Sequence, residues 1–171
     1  GGSETHFATA LPDAVVFATG LGNGLLSALG CMAGGFVSDR MDRKRAYIVY
    51  GLLQAATAVA MGALPHVQTQ YVVWSLVYAF VTGLTYAGFT AFVLEAIGRG
   101  AAATKYNAYA ALSNTPIMYM TSIDGWAHHR FGPAGMLYTE AVLGLCGLVA
   151  FLLVTALVTR FVPERAAVAE A

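Results

Sequence analysis

The sequence predicts an all-α integral membrane protein of about five transmembrane helices, and three observations carry that expectation. Of its 171 residues 58% are apolar and only 11% charged, with a mean hydropathy of +0.65, well outside the balance of an ordinary soluble domain. Five apolar runs, at about 14–37, 46–64, 71–94, 106–126 and 135–159, each approach the ~20 residues needed to cross ~30 Å of hydrocarbon. Basic residues collect in alternate loops, as they do where loops alternate between the two sides of a membrane.

The first run carries Gly20, Gly24, Gly30, Gly34 and Gly35. The first four form two G-x-x-x-G pairs, which predict close packing against another helix. The second and third runs are continuous and apolar. The fourth is unusually polar, with Asn107, Ser113, Asn114, Pro116, Ser122 and Asp124, as expected of a helix that lines a buried or water-filled surface. The fifth is the most uniformly apolar. Short hydrophilic pieces, SDRMDRKR, PHVQTQ, GRGAAATK and AHHRFGP, separate the runs. The expected organisation is an outer stub over 1–13, a helical bundle over 14–162 and a tail over 163–171.

Orientation follows from the basic residues. The first loop holds Arg40, Arg43, Lys44 and Arg45, the third Arg99 and Lys105, and the tail Arg160 and Arg165, whereas the fourth holds only Arg130. The first and third loops and the C-terminus are therefore expected on the cytoplasmic side. An outer stub without Lys or Arg and without an initiating Met points to part of a longer chain.

Acidic and basic residues balance at nine each, so no basic field attracts nucleic acid. Cys31 and Cys146 lie in apolar runs with no metal-ligand spacing and read as packing residues. The G-x-S-x-G, H-E-x-x-H and P-loop patterns are absent, and neither an enzymatic role nor a cofactor is expected. The expected surroundings are membrane lipid.

The segment from Gly34 to Arg45, GGFVSDRMDRKR, lies between two runs on the basic side and resembles the loop signature of the major facilitator superfamily, G-x-x-x-D-R-x-G-R-[KR]. That signature follows the second helix of the superfamily and recurs after the eighth. Three further runs follow the next one, so the resemblance implies helices eight to twelve, the N-terminal half being a partner outside this sequence. A-T-K-Y-N-A-Y-A-A-L-S-N from Ala103 and Gly125-Trp126 are similar to the muropeptide permease branch, which is grouped with acetyl-coenzyme A transporters. Gly51-Leu52-Leu53-Gln54-Ala55 fits the same branch. The resemblance implies a secondary active transporter of the bacterial inner membrane that moves a small solute, a sugar-peptide such as a muropeptide, with protons. Asp42 replaces the signature's glycine, a position expected to need left-handed backbone. A non-transporting membrane scaffold or subunit is the alternative.

Candidate residues sort by depth at 1.5 Å per residue. Asp39, Arg40, Arg43 and Glu95 fall at the cytoplasmic interface and form an expected charge latch between helix ends. Asn23, Tyr78, Thr82, Tyr86, Asn114 and Tyr119 fall nearer the midplane, where an unpaired polar group facing lipid costs several kcal/mol. They are expected either to line a cavity or to bond between helices. Pro116 removes a backbone hydrogen bond and is a candidate hinge. Asp124 and Glu140 are expected to pair with Arg130, His128 or His129 at the outer rim. No metal site is expected.

Overall fold

A computed structural model describes residues 13–64, 67–97 and 102–161. Most of the expected stub and the whole of the expected tail, with Arg99 and Arg165, lie outside the described residues. The described chain is helical: α1 (Asp13–Ser38), α2 (Arg43–Ala63), α3 (Gln68–Ile97) and α4 (Ala102–Phe161). All four are long and apolar enough to cross a membrane. Their lack of polar periodicity fits the medium: in hydrocarbon the helix satisfies its own backbone, and apolar side chains can face outward on every side.

Local chemistry sets the helix ends. Asp42 caps α2, its Oδ1 accepting the Arg45 N–H at 2.9 Å, with φ −56° and ψ 124°. The left-handed backbone expected there is not adopted, because Asp acts as an N-cap where a glycine would have made a turn. Leu64 closes α2 in extended backbone, as a residue preceding proline prefers. Lys105 Nζ donates to the Ile97 carbonyl oxygen at 3.2 Å, covering an end of α3 that the helix leaves unsatisfied.

The expected fourth and fifth spans form one helical run of 60 residues, interrupted by a single non-helical residue, Gly132 (φ 74°, ψ −174°). A straight helix of that length would measure about 90 Å, three times the hydrocarbon thickness. Contacts resolve the excess. The first limb, 102–131, starts beside the end of α3. The second limb, 133–161, starts beside the end of α2, where a Cβ on Gly62 would lie 3.0 Å from Tyr138. It then passes Gly51 at Leu148 and reaches Tyr47 at Phe151. The limbs thus run in opposite directions. Gly132 supplies a backbone region closed to other residues, and Pro133 opens the second limb where its missing N–H costs nothing.

Helix α1 runs parallel to α3, Asn23 meeting Ser75 near one end and Gly34 meeting Leu84 and Ala87 near the other. Helix α2 lies antiparallel to α3 and to the second limb of α4. Two small cores result. Ala46, Tyr50 and Leu84 close the end that bears the first loop, and Ala55, Ala58 and Ala141 join α2 to α4, with Tyr78 packed against them.

Candidate functional site

Beside the start of α2, α1 and α3 border an open cavity of about 380 Å³. Its lining includes Cys31, Gly35 and Asp39 from α1, Arg43 from the start of α2, and Tyr86 and Thr90 from α3. Just beyond it, a Cβ added to Gly34 would lie 2.9 Å from the Ala87 Cβ and 3.0 Å from the Leu84 Cα, so the helices touch backbone to side chain there. Gly35 has nothing within 4 Å of its own missing Cβ, and that open space is part of the cavity. Of the expected packing glycines, Gly30 and Gly34 make the close approach to α3. Gly20 and Gly24 meet nothing within 4 Å.

Arg43 Nη1 lies 3.6 Å from Glu95 Oε2, joining the start of α2 to the end of α3. The two side chains are 39% and 57% exposed, so water screens the pair and its contribution to stability is at most about 1 kcal/mol. A contact of that strength holds a geometry without locking it. Asp39 shares the cavity with Arg43, though among the described residues no ion pair joins them. Arg40 turns the other way. Its guanidinium carbon sits 3.3 Å from the Phe36 ring centroid and its Nη1 donates to the Phe36 carbonyl oxygen at 3.2 Å, so it leaves the expected cluster.

The six polar residues expected near the midplane separate into three situations. Asn23 Nδ2 donates to Ser75 Oγ at 2.9 Å, Gln54 Nε2 to Thr82 Oγ1 at 3.2 Å, and the Tyr78 hydroxyl to Glu140. These three residues therefore bond between helices. Tyr86 lines the cavity that Asp39 and Arg43 share. Asn114 and Tyr119 lie exposed on the first limb of α4, as does Pro116, through which the helix continues with helical backbone angles. The break falls instead at Gly132, where φ is positive.

Glu140 takes the Tyr78 hydroxyl and not the expected Arg130, His128 or His129. Asp124 Oδ1 is shielded without a hydrogen-bond partner among the described residues. For Glu140 the reason is placement: it turns toward α3, while the histidines and Arg130 belong to the other limb.

Several organising residues were not anticipated. Gly83 of α3 faces Gly30, and a Cβ on Gly83 would lie 2.8 Å from the Cys31 nitrogen. Tyr47, Phe92 and Phe151 bring three helices together edge to face and stacked. The signal for Gly83 was present: Ala79, Gly83, Ala87 and Ala91 recur every fourth residue and form a small-residue ridge on one face. Aromatic meetings between distant helices carry no comparable local pattern.

Fold and site together define an all-helical protein with four helices long and apolar enough to cross a membrane, bordering an open cavity lined in part by Asp39 and Arg43. In comparisons with family models, characterised proteins and solved structures, no match to the chain is found.

Proposed function

We propose that the chain forms helices eight to twelve of a major facilitator transporter, with five crossings and a cytoplasmic C-terminus in a bacterial inner membrane. It acts as a secondary carrier by alternating access and not as an enzyme. The observation that carries this reading is the Arg43–Glu95 contact beside a cavity that also holds Asp39 and Tyr86. A weak, solvated ion pair between the ends of two helices is a contact that can form in one state and open in the other at little cost. The signature-like loop supplies two of the three charges, and the small-residue α1–α3 contact gives smooth surfaces on which helices can rock. The bare limb of α4 then faces the N-terminal half across the solute path. On the resemblance to its branch, the solute is a sugar-peptide such as a muropeptide, moved with protons.

The scaffold reading keeps one supporting observation: Asn23, Tyr78 and Thr82 bond to neighbouring helices. Uptake decides between the two. In the full-length protein, Asp39→Asn is expected to lower uptake of labelled anhydro-muropeptide by about tenfold with membrane insertion retained. In the state where Asp39 closes on Arg43, a hydrogen bond between charged groups would contribute about 1.5–3 kcal/mol, and 1.4 kcal/mol is a tenfold shift in a two-state population. Uptake in permease-null cells, normalised to the amount of protein in the membrane, measures it. Unchanged uptake in Asp39→Asn would remove the charge latch, and no uptake by the parent protein would remove this solute.

A further inference from the structure

Tyr50 takes no part in the reading above, yet it occupies the most constrained position at the cavity end. It is 4% exposed. Its hydroxyl donates to the Gly34 carbonyl oxygen at 3.0 Å and lies 3.5 Å from the Oγ of Ser38, itself 1% exposed. The ring is held from the far side by Gly88, where an added Cβ would lie 2.7 Å from Tyr50 Cδ2 and 3.4 Å from the Tyr47 Cα. The ring thus stays in place because position 88 has no side chain.

The consequence concerns the last turn of α1. Helices α1 and α2 share little surface, since α1 packs mainly on α3 while α2 divides its packing evenly between α3 and α4, and the Tyr50 hydroxyl ties α2 to residues 34–38 of α1. That turn presents Gly35 to the cavity and leads directly to Asp39, while α2 carries Arg43 into the same cavity. The hydroxyl therefore bridges the two elements whose relative position decides how Asp39 faces Arg43. It can donate to Gly34 while accepting from Ser38, so a rotation of the O–H alone exchanges one partner for the other.

We propose that Tyr50 is a positioning residue for the charged inner gate: its buried hydroxyl holds the last turn of α1 against α2, and loosening that bond lets the turn bearing Gly35 and Asp39 move and the cavity open. Only the effect on turnover rests on the transport reading. The movement itself has a built-in reporter, because Cys31 lines the same cavity.

The test uses the full-length protein in detergent micelles, where both faces are accessible, with Cys146→Ser so that Cys31 is the reporter of this region. The rate at which Cys31 reacts with a membrane-impermeant maleimide is then measured. Tyr50→Phe keeps the ring and removes the hydroxyl, and is expected to raise the rate about fivefold, the shift that one neutral hydrogen bond produces. Gly88→Ala keeps the hydroxyl but displaces the ring, and is expected to raise the rate as well. The double variant should exceed neither single variant by more than twofold, since both break one contact. Tyr138→Ala, at the opposite end, is expected to lower thermal stability without changing the Cys31 rate. Where uptake is measurable, Tyr50→Phe should reduce kcat and leave KM unchanged, because Tyr50 does not line the cavity. A Cys31 rate within twofold of the parent in both Tyr50→Phe and Gly88→Ala would overturn the proposal, as would an equal rise in Tyr138→Ala. Labelling is read whether or not the protein carries a solute, so failure here is distinct from failure of the transport reading.

Discussion

Along the α1–α3 seam, Gly30 and Gly34 bring backbone against Gly83 and Leu84, and Asn23 exchanges hydrogen bonds with Ser75. Along the first limb of α4, by contrast, Ala127 alone is buried among the described residues, and Asn107, Asn114 and Tyr119 stand exposed. Both regions carry asparagine inside an apolar run. Asn23 finds its partner because the small side chains of α1 let α3 approach at a register that places Ser75 opposite. Asn114 lies exposed, with no hydrogen-bond partner among the described residues. Polarity within a membrane span therefore states that a partner is required, and the register of the neighbouring helix decides whether the chain itself supplies it.

The contrast is tested most severely at its tightest point. Gly30→Leu would drive a side chain into the Phe80 carbonyl region, with Gly83 Cα only 3.2 Å from the new Cβ. The expected loss is about 3 kcal/mol or more, the upper end for overpacking, because backbone cannot move aside. Gly24→Leu, where nothing lies within 4 Å of the added Cβ, should stay within about 0.5 kcal/mol. Thermal denaturation in detergent compares the two, and equal losses would dissolve the distinction between the glycine pairs.

Gly132→Ala should come next, at about 1–3 kcal/mol, since a φ of 74° with ψ near 180° is essentially a glycine conformation. The loss should fall on the turn between the limbs, read as faster proteolysis near residue 132 with the α1–α3 seam intact. Cleavage no faster than in the parent protein would mean that Gly132 does not set the reversal.

A smaller effect is expected at Asn23. Asn23→Ala should cost about 0.6 kcal/mol, the average for hydrogen bonds between membrane helices, and a double-mutant cycle with Ser75→Ala should recover that coupling. The smallest effect belongs to the bare limb. Asn114→Ala should leave thermal stability within about 0.5 kcal/mol, because no bond is lost within this chain. A larger loss would show that Asn114 has a partner after all and would bring the two regions into one class.

Long apolar helices were legible in the sequence with little help, although it predicted five runs and the structure joins the fourth and fifth in α4 through Gly132. Composition, run length and the spacing of charged loops are local properties, and hydrocarbon imposes one backbone solution on any run of sufficient length. The sequence also marked the fourth run as different, and it placed Asp39, Arg43 and Glu95 at a common end, because depth along a helix follows from residue number.

What sequence left open was rotation and register. Whether Gly30 or Gly20 is the contact glycine, whether Arg40 joins Arg43 or folds back on Phe36, and whether Tyr78 meets a cavity or Glu140 each depend on which side of a helix faces which neighbour. A soluble helix announces that side by its polar stripe. A membrane helix, apolar all round, does not, so only the packed structure fixed the partners of Tyr50, Gly83 and Glu140.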